Sequence, residues 1–439
     1  NYKNSIEIKL MKDGSCFMSV AQTSVALASG RLSADEIMEQ LLTRVAARDE
    51  QVQAWSWLDP AQAQARARQA AEEIRQGVRH SPLQGIPVAV KDLIDTEGML
   101  TTYGSPIYKD HHPASDAAIV TALKKAGAYV MGKTVSTEFA CFTAGPTMNP
   151  HNPEYSPGGS SSGSAAAVAD GQVPFSIGTQ TAGSVIRPAA FNGVVGLKLS
   201  YGVLPTAGTF PLCPTLDTLG TFSRTVGDQR LILTALAPHL PIANAVKNPK
   251  ILVCKTPFWS QGDDEMHTAF DQFVADCQQA GADLEHYEMG PDFAALLTAQ
   301  QQIMGVEASR ALSTHYAQQR DQLSAPLVAL IEQGMQVNNA EEAAAHNLKA
   351  RCAHKLQQLF RDADFIITPA TVGTAPKRVD GTGDPLFNRI WTLLGLPAIT
   401  FPIAQGGNGL PLGVQLIAPL GEDHALIDFA DKLQMLTRT

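Results

Sequence analysis

Several things are missing from this chain, and each absence closes off a class of function. No apolar run approaches the length of a membrane span, so an integral helical membrane protein is not indicated. No dense Lys/Arg block appears, and the formal net charge is −9, which argues against a nucleic-acid footprint. The six cysteines (16, 141, 213, 254, 277, 352) contain no C-x-x-C pair. That scatter fits a reducing cytoplasm better than a disulfide framework or a zinc site. Internal repeats, low-complexity tracts and linker-like boundaries are also lacking, which favours one large domain over residues 18–439. Residues 1–17 resemble no signal peptide and are expected to be an appended or disordered segment ahead of Met18.

What is present is an alternation of helical and strand patterns. Ser33-x-x-Glu36 reads as a capping box opening a helix whose apolar stripe is Ile37, Leu41 and Leu42. A second helix is expected near 60–76. "IPVAVKDLID" reads as a buried strand ending near Lys91, "SDAAIVTALKKAG" as a helix and "AYVMGKT" as the strand after it. Residues 142–163 form a long polar Gly/Pro/Ser stretch, then "SAAAVADG" has helix composition. Residues 230–350 read as mostly helical, with a strand at "KILVC". Strands return at "DFIITPA", "LPAITFPIA" and "LPLGVQLIAP". This rhythm predicts α/β architecture.

Two short motifs match without their required context. Gly127-x4-Gly132-Lys133-Thr134 satisfies the phosphate-loop pattern, but the intervening Ala-Tyr-Val-Met reads as strand, leaving no loop to wrap a phosphate. The expectation here is a strand ending at Gly132 with a solvated Lys133. Gly159-Ser-Ser161-Ser-Gly163 satisfies the nucleophile-elbow pattern G-x-S-x-G. That elbow needs a strand directly before it, and "NPHNPEYSPG", with three prolines, cannot be a central strand.

Two Gly/Ser segments flank the small helix: Gly158-Gly159-Ser160-Ser161-Ser162-Gly163-Ser164 and Thr181-Ala182-Gly183-Ser184. Small residues let backbone approach a ligand, and successive amides on such a turn can converge on a developing oxyanion. A serine at its end is a candidate nucleophile, and a neutral lysine can serve as its base. Lysine must lose about three pKa units for that, which demands burial. Lys91, closing the apolar "VAV" run, is the best-placed candidate. The plainer alternatives are flexible Gly/Ser connections and a solvated lysine at a strand end.

"GGSSSGSAAAVADG" followed by "GTQTAGSVIRPAAFNGVVGLK" resembles the amidase signature family. "PLQGIPVAVKDLID", "LDTLGTFSRTVGD" and the C-terminal strand segments resemble further parts of it, so the likeness spans roughly residues 20–435. The resemblance implies a single large α/β/α layered domain around a mixed, twisted central sheet. It also implies a Ser–cis-Ser–Lys triad of Ser184 (nucleophile), Ser160 (bridge, after a cis Gly159–Ser160 peptide) and Lys91 (base). The oxyanion donors would be the amides of Thr181, Ala182, Gly183 and Ser184. Substrate contacts would come from Gly158, Gly159, Thr179 and Arg187. Ser161 and Ser162 either support the relay or, for Ser162, simply sit in a solvated loop. The implied activity is hydrolysis of a small linear amide through an acyl-serine, without metal or organic cofactor. The protein would be a cytoplasmic homodimer with no nucleic-acid or membrane partner.

Departures from the family pattern are Ala182 and Ser162 where glycine is usual, and Leu199 where proline follows the lysine. Arg187 stands three residues after Ser184 rather than two, the malonamidase-type arrangement. A guanidinium there suits a bidentate grip on a carboxylate, which selects a malonamate-like substrate. The competing role for Arg187 is a structural ion pair, for instance with Asp217. Alternative activities are the glutaminase-type subunit of a tRNA-dependent amidotransferase, or an amidase for neutral aliphatic or aryl amides or ureido acids.

Overall fold

A computed structural model describes residues 18–242 and 246–438, so the expectation for residues 1–17, Cys16 included, lies outside the described residues. The strands are β1 (Trp55–Trp57), β2 (Pro87–Lys91), β3 (Tyr129–Thr134), β4 (Phe175–Gln180), β5 (Val195–Lys198) and β6 (Thr218–Ser223). They continue with β7 (Lys250–Val253), β8 (Asp283–His286), β9 (Phe365–Pro369), β10 (Ala398–Gln405) and β11 (Pro411–Ile417). They form one sheet in the order β1-β3-β2-β4-β6-β5-β10-β11-β9-β7-β8. Parallel pairs occur in two groups, β3-β2-β4 and β9-β7-β8, while the middle of the sheet is antiparallel.

Successive strand residues point to opposite faces of a sheet. Every residue of β2, β3, β4, β6, β9 and β11 is buried, so both faces are covered, as the α/β/α layering requires. One contiguous apolar cluster fills these layers. The Ser33 capping box is formed, and its helix runs Ala34–Val52. The second helix spans Pro60–Arg75, and "AIVTALKK" is helical between residues 118 and 125. Helices Ala325–Gln336 and Asn339–Leu359 both pack on helix Pro291–Ala311, and helix Arg389–Leu393 rests against it too.

Five strands, β1, β4, β5, β6 and β8, lie outside the strand patterns expected from the sequence, and two of them leave no readable mark in it. β1 has three residues, too few for a periodic signal, and β8 is a polar, largely exposed edge strand, "DLEH". Both motifs without context stay without it. The residues between Gly127 and Gly132 enter β3, and no strand precedes Ser161. The solvated Lys133 is corrected: β3 runs through it to Thr134, and its side chain is fully buried. Its ammonium donates to the Ile94 carbonyl and, at 2.8 Å, to Thr101 Oγ1, while burial pushes its pKa down to about 8. No helix among the described residues is long and apolar enough to cross a membrane.

Candidate active site

The site lies where β2 and β4 run side by side and parallel. Lys91 is the last residue of β2, and Thr179 is the penultimate residue of β4. Between these strands in sequence, the long loop delivers Gly158-Gly159-Ser160 and then helix Ser162–Ala169. Gly158 has φ +77°, a left-handed conformation that glycine adopts without strain, and the Gly159–Ser160 peptide is cis. These three segments bring Lys91 Nζ within 2.6 Å of Ser160 Oγ and 2.8 Å of Thr179 Oγ1. Lys91 is fully buried, and this burial holds its pKa well below the ordinary lysine value. The Asp217 carboxylate pulls the other way, with less effect.

After β4 the chain turns through Thr181–Ser184 before helix Ile186–Asn192. This turn is fixed from several sides. Thr181 Oγ1 donates to Asp217 Oδ1 at 2.5 Å, and the other Asp217 oxygen accepts from the Cys213 amide at 2.8 Å. The Gln300 amide donates to the Thr181 carbonyl at 3.3 Å. Thr392 Oγ1 lies 2.6 Å from the Ala182 carbonyl and accepts from Gln180 Nε2 at 2.8 Å. Gln180 Oε1 in turn accepts the amides of Val185 and Ile186, at 2.8 and 3.0 Å. Among the described residues the amides of 181–184 donate to no acceptor, so four N–H groups on one turn are uncommitted. Gly183 is needed for close approach: a Cβ there would sit 2.4 Å from Asn388 Oδ1 and 2.6 Å from Pro385 Cβ. Ala182 is not among the residues of positive φ, so its methyl group brings no backbone strain to the turn.

Ser184 is 7% exposed and Ser160 3%. No hydrogen bond joins these two hydroxyls among the described residues, so of the two links in the expected relay only Lys91–Ser160 is formed. Ser161 braces the backbone, donating to the Thr179 carbonyl and accepting the Thr179 amide. Ser162 donates to the Val135 carbonyl at 3.4 Å and is buried, not a solvated loop residue.

Arg187 differs from both sequence expectations. Its Nη1 donates to the Gly383 carbonyl at 2.5 Å and its Nη2 to the Gly159 carbonyl at 2.6 Å, with Thr382 Oγ1 at 3.4 Å. Its Nε is buried without a partner. No ion pair with Asp217 forms among the described residues, since that carboxylate serves Thr181 and Cys213. The guanidinium therefore braces the Gly159 carbonyl and does not present an open fork. Thr179 likewise turns its hydroxyl to Lys91. Sequence reasoning missed Gln300, Thr382, Asn388, Arg389 and Thr392, which reach the turn and its surroundings from far along the chain and share no local motif with it.

The sequence model of the amidase family matches residues 36–427. The A-type subunit of glutamyl-tRNA(Gln) amidotransferase from Anaeromyxobacter sp. (strain K) is 31% identical over 474 aligned positions, covering 95% of this chain and 96% of that protein. A crystal structure of an amidase superposes with a TM-score of 0.87 at 28% identity, over 95% of this chain and 99% of the other. Native peptide amidase from Stenotrophomonas maltophilia does so with 0.84 at 27% identity, over 96% and 97%. These matches do not single out the malonamidases. They do carry the family and the reaction type: the chain belongs to the amidase family, whose chemistry is cleavage of amide C–N bonds.

Proposed function

We propose that Ser184 is the nucleophile, Ser160 the proton bridge and Lys91 the general base of an amide hydrolase. The observation that carries this is the 2.6 Å contact from the fully buried Lys91 Nζ to Ser160 Oγ, beside a turn with four uncommitted amides. Burial favours the neutral amine, which has a lone pair to accept the Ser160 proton. Ser160 takes the Ser184 proton as Ser184 Oγ bonds to the amide carbon. The carbonyl oxygen gains negative charge and meets the amides of 181–184. When the C–N bond breaks, the proton returns through Ser160 to the leaving nitrogen, and ammonia departs. Water then attacks the acyl-Ser184 ester, releases the acid and restores the hydroxyl.

For the substrate, the glutaminase-type reading, with the side-chain amide of glutamine as the bond cleaved, takes precedence over malonamate. Likeness to glutamyl-tRNA(Gln) amidotransferase proteins over nearly their full length supports it. Malonamate rests on Arg187, whose donors are committed to backbone. A cytoplasmic homodimer remains the proposed state.

The test combines a fluorophosphonate label with ammonia release from glutamine, malonamate, propionamide, benzamide and a ureido acid. The label is expected on the peptide bearing Ser184, and Ser184→Ala is expected to lower turnover to background. Labelling of Ser160 or Ser161 instead overturns the assignment of the nucleophile. A kcat/KM for malonamate well above that for glutamine overturns the order of substrates.

A further inference from the structure

Two guanidiniums are buried beside the nucleophile turn. Arg187 is 3% exposed and Arg389 7%. Burial lowers the pKa of both, and Arg389 repels Arg187 besides. Among the described residues neither forms an ion pair with a carboxylate; the acid whose field reaches both is Asp384, which is exposed. Burying like charges without a counter-ion is costly, and an anion that completes the arrangement offsets that cost.

The two arginines differ in what they have left to offer. Arg187 has committed both Nη groups to backbone, and its Nε is sealed. Arg389 gives Nη1 to Gln300 Oε1 at 2.6 Å, and among the described residues its Nε and Nη2 have no partner. Those two groups form one edge of the planar guanidinium, the edge that meets both oxygens of a carboxylate in a bidentate pair. Its position ties it to the site. Gln300, which holds Nη1, also donates to the carbonyl of Thr181, first residue of the nucleophile turn. Asn388, the residue before Arg389, lies against Gly183 in the same turn.

We propose that Arg389 binds the carboxylate of an anionic amide substrate through its Nε–Nη2 edge while the amide carbon faces Ser184. This rests on the nucleophile assignment above and adds the substrate class: small primary amides that carry a free acid. Arg187 adds positive field without touching the substrate.

The test uses pairs of amides that differ only in the acid: malonamate with propionamide, succinamate with butyramide, and glutaramate with valeramide. The parent is expected to prefer the acid at one chain length at least. In Arg389→Gln and Arg389→Lys the acid-to-neutral ratio of kcat/KM is expected to fall about 10- to 150-fold, the range for losing a charge-assisted bidentate contact. Arg389→Lys keeps the charge and loses the fork, so it carries the comparison if Arg389→Gln does not fold. Calorimetric binding of malonate, succinate and glutarate gives a readout apart from turnover. One of them is expected to bind the parent and to bind Arg389→Gln about tenfold or more weakly, the lower end of the same range. Equal losses on both members of each pair, or a parent with neither acid preference nor dicarboxylate binding, overturn the proposal. Intact dicarboxylate binding without any label on Ser184 strikes the nucleophile assignment and leaves the carboxylate site standing.

Discussion

Lys91 Nζ sits between two hydroxyls, 2.6 Å from Ser160 Oγ and 2.8 Å from Thr179 Oγ1, with no exposure to solvent. Its protonation state is a contest between burial, which disfavours the ammonium, and the negative charge of Asp217, which favours it above about pH 7, the value to which burial pushes the Asp217 carboxyl. Burial is the larger effect, so the amine loses its proton below the ordinary lysine range. If neutral Lys91 is the base, activity rises with pH along a limb that follows this deprotonation. Asp217→Asn removes the opposing attraction, so the limb is expected to move to lower pH. A pH–rate profile of the two proteins checks the direction. A limb above about pH 7 that stays in place, or one that moves to higher pH, separates the rate from Lys91. Lys91→Arg, which cannot deprotonate at these pH values, is expected to be as inactive as Lys91→Ala.

The nucleophile turn is held by elements remote in sequence. Helix Arg389–Leu393 contributes Thr392, whose hydroxyl accepts from Gln180 Nε2 and lies 2.6 Å from the Ala182 carbonyl. Thr392→Val keeps the shape and leaves both groups buried without that partner. A buried unpaired polar group costs about 1–3 kcal/mol, so the variant is expected to unfold at lower denaturant. Because the turn presents its amides to charge that exists only in the transition state, kcat is expected to fall about tenfold or more, with a smaller change in KM. Full kcat in a destabilised variant would show that the turn holds its geometry without this clamp. The same remoteness explains what is legible in the sequence. The Gly/Ser segments and Lys91 lie in short stretches with their own composition, so the candidates Ser160, Ser184 and Lys91 stand out. Gln300, Asn388, Arg389 and Thr392 are ordinary residues in or beside helices, and only the fold brings them to the turn. Arg187 is legible as an oddity but not in its role, since the carbonyls of Gly159 and Gly383 that it holds belong to distant loops.

Among the described residues, the sheet holds three lysines with no exposure to solvent: Lys91, Lys133 and Lys198. The strand patterns that announce β2, β3 and the C-terminal strands also place Lys91 and Lys133 at strand ends. A strand end usually faces water, and that habit is why the pattern alone suggests a solvated Lys133. Here further layers cover the ends. Lys198, the last residue of β5, donates to the Leu199 carbonyl at 2.5 Å, and burial pushes its pKa down to about 7 from 10.5, against the attraction of Asp423. Between those values the unfolded chain binds a proton at this site that the native chain does not. Stability therefore rises as pH climbs from about 7 toward 10, and the penalty is fully present below that window. The limiting slope for one such proton is about 1.4 kcal/mol per pH unit. Lys198→Met is expected to lower the pH dependence of stability by up to that slope, while the shares of Lys91 and Lys133 remain. Urea unfolding of both proteins at several pH values from about 7 to about 10 measures it. The stability difference between the two proteins is expected to change steadily across that range, and curves that stay parallel would mean that Lys198 keeps its proton in the native fold.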